Sequence, residues 1–252
     1  MDLNRLNSAT KYPSIPTYHR LNERGVPTDQ RQVDFSVEPE PLIFTEKIDG
    51  VNARLIFLFD GTLDWFIGSR EEMLTARDDR VPNSAMGIVD ALRPIADRNR
   101  LMSTDALISV CYLEVFGGKT TRNAKEYTSD PKIFDARLFD IAIIDRSILN
   151  RSVEDIASWR DAGRQTFLTE PKLEHAARKL GVEMTPRLHT SDPLPTDPAH
   201  VRSFLEKIVP RSFATLDARA NGRPEGVVVR RADRSQIAKI RFEDYAKLRK
   251  PR

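Results

Sequence analysis

Apolar residues fall in short runs separated by polar turns along most of the chain. Runs at about 41–47, 51–59, 63–69, 107–115 and 137–144 are rich in Val, Ile, Leu and Phe and predict β-strands. Two more follow at 225–230 and 237–242. FDGTLDW, between the second and third run, is a hairpin signal. Wider apolar spacing predicts helices over 84–100, 153–162, 170–180 and 198–208. Thr169 with Pro171, and Asp197 with Pro198, mark helix starts, and Gly181 marks a stop. Strand hairpins with helices grouped between them predict an α+β fold with an antiparallel sheet, not an alternating parallel one. Pro13, Pro16, Pro27, Pro39 and Pro41 make residues 1–40 a loop-rich segment, expected to pack on a core domain over 41–252.

Composition narrows this picture. A chain that is 40% hydrophobic and 31% charged can build a sizeable core. No apolar run approaches the roughly 20 residues of a membrane span, and MDLNRLNSATKYPS lacks the charged-then-apolar pattern of a secretory signal. A cytoplasmic protein without membrane contact is the expectation. Cys111, the only cysteine, lies within the apolar LISVCYLEV and reads as a small core residue. His19, His175, His189 and His200 have no metal-ligand spacing. The net charge is only +3, yet residues 230–252 hold nine basic side chains against three acidic ones. That basic tail suits a polyphosphate or a nucleic-acid backbone.

Four polar clusters lie at the ends of apolar strands. The first is Lys47, Asp49, Gly50 and Asn52 in TEKIDGVNARL. By itself, Asp49-Gly50 reads equally well as a hairpin turn with positive φ at the glycine. The second is Glu114 in CYLEVFGG, and the third is Phe139-Asp140 in ARLFDIAI. The fourth joins Glu225-Gly226 in PEGVVVRR to Lys239 and Arg241 in IAKIRF, which alternate on one strand face. Neither GxGxxG nor GxxxxGK[ST] is present, which argues against a dinucleotide fold or a P-loop.

Taken in order, KxDGxN, an acid after an apolar strand, FDI, EGVVVR and KxR resemble the covalent nucleotidyltransferase superfamily of ATP-dependent ligases and mRNA capping enzymes. The resemblance runs over residues 46–241. It implies an ATP-grasp-like adenylation domain with flanking helices. Asn52 stands where DNA ligases and capping enzymes usually carry arginine; RNA ligases of the phage T4 RNA ligase 2 and trypanosome editing type carry asparagine. The resemblance makes Lys47 the nucleophile that takes AMP. Glu46 would lie beside the adenine, Asn52 near the nucleotide, and Arg70 near the ribose and the nucleic-acid end. Glu114 would bind the ribose and Phe139 would stack on the base. Glu225 would assist a magnesium or manganese ion, and Lys239 with Arg241 would grip the phosphates. The family usually has lysine where Arg241 stands, and arginine's planar fork has a different geometry.

The chemistry is coherent on its own terms. A lysine with pKa about 10.4 is almost wholly protonated at neutral pH, and only the free amine attacks phosphorus. Nearby cations lower that barrier and neutralise the transferred phosphoryl group. Eleven residues follow Arg241, which leads to the expectation of no C-terminal OB-fold. RNA ends or a nicked duplex would then be held by the basic tail, the N-terminal segment or a protein partner. KYPSIPTYH is expected to pack Tyr12, Ile15 and Tyr18 against the core. A DNA ligase, another polynucleotide adenylyltransferase and a non-catalytic nucleotide- or RNA-binding protein remain alternatives to an RNA ligase.

Overall fold

The computed structural model describes residues 1–36, 41–59, 63–76, 87–98, 106–246 and 248. In chain order the elements begin with α1 (Leu3–Thr10), β1 (His19–Leu21), β2 (Pro27–Arg31), β3 (Ile43–Lys47) and β4 (Val51–Phe59). Next come β5 (Leu63–Ser69), β6 (Met73–Ala76), α2 (Ile88–Arg98), β7 (Leu107–Gly117) and β8 (Phe134–Asp145). Then follow α3 (Val153–Asp161), β9 (Thr166–Phe167), α4 (Glu170–Leu180), β10 (Arg187–Leu188) and α5 (Pro198–Ile208). The series closes with β11 (Gly226–Arg230), β12 (Ile237–Arg241) and the short α6 (Phe242–Tyr245). Every strand pair within the sheets is antiparallel, so the fold is α+β as the pattern predicts. None of the described helices is long and apolar enough to cross a membrane.

The chain divides into two compact units that interleave in sequence. The first comprises Met1–Ser14, Gly50–Lys125 and Asp130–Met184; the second comprises Ile15–Asp49, Glu126–Ser129 and Thr185–Arg252. Residues 1–40 are thus shared between the units.

The first unit is a six-stranded sheet in the order β6-β5-β4-β7-β8-β9. Alternate residues of β4 and β7, among them Ala53, Leu55, Cys111 and Leu113, bury one face under Leu92 of α2 and Leu173 and Leu180 of α4. Cys111 is in this core, where burial pushes its thiol up, out of reach of reaction at neutral pH. Both faces of β4 are buried, so it reads in sequence as a continuous apolar run. On the second face the run is interrupted by Arg54, whose side chain is fully buried. Its guanidinium donates to the Asn7 and Thr10 oxygens of α1 at 2.8 Å and to the Ser69 carbonyl at 3.0 Å, and also to the Asn7 side-chain oxygen. Burial lowers its pKa to about 10. Gly68 makes room for it, since a Cβ there would lie 2.7 Å from Arg54 Nε.

The second unit is a four-stranded sheet in the order β10-β3-β11-β12, with the β1–β2 hairpin beside it in sequence. Phe44, Val227, Val229, Ala238 and Ile240 bury one face against Val201, Phe204 and Leu205 of α5. Asp197 caps α5 by accepting the Ala199 N–H at 2.8 Å. The free edge of β12 is covered by residues 16–18, with Lys239 N–H donating to the Pro16 carbonyl at 2.9 Å and Tyr18 N–H to the Lys239 carbonyl at 3.0 Å.

Strand and helix positions follow the apolar pattern closely, and the departures have local causes. Residues 1–40 were expected as loop, yet Leu3–Thr10 is helical: Asp2 accepts the Asn4 and Arg5 N–H groups, and every proline lies after the helix. β6, β9 and β10 are too short to show a period. The predicted helix over 84–100 is described as Ile88–Arg98, with 84–86 and 99–100 lying outside the described residues. The tip of the β4–β5 connection, 60–62, and Lys247, Arg249, Lys250 and Arg252 of the basic tail are also outside them. Tyr12 and Tyr18 are buried and Ile15 is half-buried.

Replacing Arg54 by Met would leave the acceptors on α1 and β5 without their donors. Arg54→Met should lose about 2–4 kcal/mol of stability in urea denaturation. An unchanged midpoint would mean that the buried guanidinium does not fasten α1.

Candidate active site

Register in the four-stranded sheet sorts the charged residues. Gly226 lies opposite both Lys47 and Arg241, and Val228 opposite both Thr45 and Lys239. Directly opposed residues of an antiparallel ladder share a face, so Lys47, Lys239 and Arg241 project from the face that α5 does not cover. The burial of β12 alternates with period two, leaving Lys239 and Arg241 partly exposed between buried neighbours. In the central strand only a glycine separates Lys47 from Arg241. A Cβ at Gly226 would lie 2.1 Å from the Ile240 carbonyl oxygen, so the β11–β12 approach excludes any side chain.

Glu225, one residue before β11, donates no hydrogen and accepts one from the Lys47 ammonium at 2.6 Å. Both side chains are mostly buried, at 26% and 18% exposure. Burial raises the Glu225 pKa above the ordinary carboxylate value, and the nearby Asp49 adds to this; Lys47 and Arg241 oppose it. Arg241 is itself held by carboxylates. Its fork meets Asp244 at 2.8 and 3.0 Å, and it pairs with Glu243 at 2.6 Å. Arg241 thus carries to the shared face a guanidinium already engaged by the first turn of α6.

Glu46 points to the opposite side of β3 and is 1% exposed. It accepts the Ser212 hydroxyl at 2.5 Å and the Phe213 N–H at 2.7 Å. After Lys47 the chain is fixed by Tyr127, a buried residue whose hydroxyl oxygen accepts the Asp49 N–H at 2.6 Å.

In the first unit a second set forms on the face of the six-stranded sheet away from its main core. Asn52, Glu114 and Arg137 lie side by side on β4, β7 and β8. Glu114 accepts the Gly50 N–H at 3.1 Å, and Arg137 pairs with Asp135 at 3.0 Å and with Glu183. The Asn52 side-chain oxygen is buried with no hydrogen-bond partner among the described residues. Such an oxygen calls for a donor from outside the chain. Phe139 is the extra residue of a β-bulge, between Leu138 opposite Leu113 and Asp140 opposite Tyr112. The bulge turns the half-buried Phe139 ring edge-on to Tyr12, at 5.0 Å and 87°, and roughly parallel to Tyr112 at 6.3 Å. Tyr12 donates its hydroxyl to Asp140 at 2.9 Å. Arg70 is exposed, one residue past Ser69, and its contacts with Glu71 and Ser14 are long.

The hairpin reading of Asp49-Gly50 is overturned. β3 pairs with β10 and β11, whereas β4 pairs with β5 and β7, and Gly50 is absent from the glycines with positive φ. Glycine is required there because a Cβ would lie 2.4 Å from the Val115 carbonyl oxygen and 2.9 Å from Phe116 Cβ. Tyr127, Arg137 and Ser212 were not foreseen. They come from segments remote in sequence and carry no motif of their own.

Among the described residues no group of three or more His, Cys, Asp or Glu side chains could hold a metal ion. Glu225 with nearby Asp49 fits a different kind of site. Magnesium keeps several waters and needs only one or two carboxylates when phosphates complete its shell.

The raised pKa of Glu225 has a testable sign. The folded chain holds that proton more tightly than the unfolded chain, so ionising Glu225 costs stability, and the cost sets in as pH rises through the folded pKa. Urea melts of Glu225→Gln should therefore improve relative to wild type between about pH 4 and pH 7. A gap that stays constant or shrinks over that interval would contradict the assignment.

These arrangements can be set beside known proteins. Residues 40–247 match the family model described as RNA ligase. Among solved structures, a lysine-to-alanine variant of Naegleria gruberi RNA ligase with ATP and Mn is 17% identical with a TM-score of 0.50, covering 92% of this chain and 62% of that one. A glutamate-to-alanine variant with ATP and Mn gives 17% and 0.50, covering 97% and 63%. The same ligase with PPi gives 17% and 0.50, covering 93% and 63%. At that identity the likeness is one of fold, and the chain spans less than two thirds of the length of these structures. No curated protein matches. With the family model extending over most of its length, the chain belongs to the RNA ligase family.

Proposed function

We propose that the chain is an ATP-dependent RNA ligase working through a covalent lysyl-AMP intermediate, on an adenylation domain of the nucleotidyltransferase type. The observation that carries this reading is the Lys47 amine, 2.6 Å from Glu225 on the sheet face it shares with Lys239 and Arg241. Membership of the RNA ligase family and the Naegleria ligase structures with ATP, Mn and PPi support it.

In the first step Lys47 Nζ, having lost its proton to solvent, bonds to the α-phosphorus of ATP as the bond to the pyrophosphate oxygen breaks. AMP then passes to an RNA 5′-phosphate, and a 3′-hydroxyl displaces AMP to form the phosphodiester. The Glu225 carboxylate holds the Lys47 side chain at 2.6 Å, and that contact would be released when the carboxylate takes a metal cation instead. Lys239 contributes positive charge for the phosphates. Arg241 joins it only by exchanging Asp244 and Glu243 for phosphate oxygens. Glu225, with Asp49 beside it, would hold a magnesium or manganese ion, which supplies neutralisation of phosphate charge when bound.

Glu114 and Asn52 fit contacts to the ribose and nucleotide, and the orphaned Asn52 oxygen is the better supported of the two. Phe139 offers a ring to the adenine. Arg70, exposed past β5, is suited to the nucleic-acid end. Glu46 supports the nucleotide site through the Ser212–Phe213 backbone it anchors. Asn52 also favours the phage T4 RNA ligase 2 type over the DNA ligase and capping types, and RNA repair in the cytoplasm is the setting this reading expects.

The direct test is incubation with magnesium and α-labelled ATP or GTP, followed by denaturation. Label is expected on wild type from ATP alone, and Lys47→Ala should reduce it to background. Wild-type labelling of that variant would refute the nucleophile, and labelling from GTP alone would point to capping chemistry. Nicked duplexes then test the substrate, since sealing confined to deoxyribose ends would make the chain a DNA ligase.

A further inference from the structure

The most exposed large apolar side chain among the described residues is Phe213, at 57% exposure. A lone exposed aromatic is unremarkable on a mobile loop, but this one sits on a segment tied down at almost every turn. Phe213 N–H donates to buried Glu46 at 2.7 Å, and the Ser212 hydroxyl does so at 2.5 Å. Ser212 N–H donates to the Gly222 carbonyl at 2.7 Å, and Gly222 N–H to the Glu126 carbonyl at 2.9 Å. Arg223 N–H donates to the Glu126 carboxylate at 3.1 Å, and Leu216 N–H to the Tyr127 carbonyl at 2.7 Å. The chain thus holds the backbone of Phe213 firmly and leaves its ring in solvent.

The charge around it is mainly positive. Arg211, Arg219 and Arg223 are exposed, and none forms an ion pair among the described residues. Arg211 lies across Gly222, its guanidinium 3.1 Å from where a Cβ would be. Asp217, the one acid of the segment, is turned to neutral donors, accepting from Thr128, Ser129 and the Arg219 N–H, and pairs with none of the arginines. A fixed aromatic face among unpaired arginines has the two parts of a single-strand platform: a ring on which a base stacks, and cations for the flanking phosphates. Its position fits the chemistry. Glu46 precedes Lys47 directly, and Arg223 is two residues before Glu225.

We infer that Phe213, with Arg211, Arg219 and Arg223, is a docking surface for an unpaired nucleotide of the RNA substrate. This rests on the RNA-ligase reading and deepens it by naming the surface that takes single-stranded RNA. Stacking recognises the face of a base and not its edge, so the surface is indifferent to sequence.

The test measures RNA binding directly, by fluorescence anisotropy of a labelled short single-stranded oligoribonucleotide without ATP. Lysyl-AMP formation is scored separately, so failure of this inference and failure of the ligase reading are told apart. Phe213→Ala and Phe213→Leu should each weaken binding by about 5- to 150-fold, the range expected for one stacked base. Phe213→Trp should bind as wild type, with indole fluorescence quenched by the RNA. Replacing the three arginines by glutamine should lower the slope of log affinity against log salt by about 2, at roughly 0.7 per phosphate contact. Thermal melts confirm that the variants are folded. Wild-type affinity in Phe213→Ala overturns the inference. So does loss in Phe213→Ala with full recovery in Phe213→Leu, which would indicate that apolar bulk and not base stacking carries the affinity.

Discussion

A largely buried ammonium group needs an opposing charge, and around Lys47 that need organises the second unit. Glu225 supplies it at 2.6 Å, from a strand end 178 residues away in sequence. For the two side chains to meet, β3 must lie against β11 in one register, with Gly226 between Lys47 and Arg241. That register also fixes the other face, where Phe44, Val227, Val229 and Ile240 meet α5. A slip by one residue would turn every side chain of a strand to the wrong side. The ion pair and the apolar core are therefore two readings of a single strand alignment. Burial of the carboxylate opposes its ionisation and offsets part of the attraction within the pair.

The two units solve the placement of polar groups differently. On one face of the four-stranded sheet, charges are satisfied by one another: Lys47 by Glu225, Arg241 by Asp244 and Glu243. In the six-stranded sheet Arg54 enters the interior and is satisfied by neutral oxygens, those of Asn7, Thr10 and Ser69. A site built from paired charges can be rearranged by a competing ion, whereas one built from carbonyl acceptors stays as it is. The latter suits a scaffold that must hold a strand and a helix still.

Much of this was legible in the sequence because period and position carry it. The helices at 170–180 and 198–208 and the strands at 51–59 and 63–69 lie where spacing and capping residues put them. Alternation identified Lys239 and Arg241 as neighbours on one face. What could not be read was supplied from far along the chain. Gly50 was legible as essential but for the wrong reason, since the steric limit comes from Val115 and Phe116 and not from its own φ. Glu46 sits beside Lys47 in sequence yet faces Ser212 and Phe213, because consecutive strand residues point to opposite sides. α1 was hidden by the prolines that follow it, although Asp2 is a good helix cap.

The interleaved path of the chain bears on how the protein is born. Three separate stretches build the second unit, and its β3 is finished early in synthesis while the partner strand β11 emerges only after residue 226. Until β11 follows, an apolar strand with a lysine at its end waits without that partner. Closing so long a loop is slow compared with pairing β4 to β5. A nascent chain thus carries Lys47 in an unformed sheet until β11 has followed it.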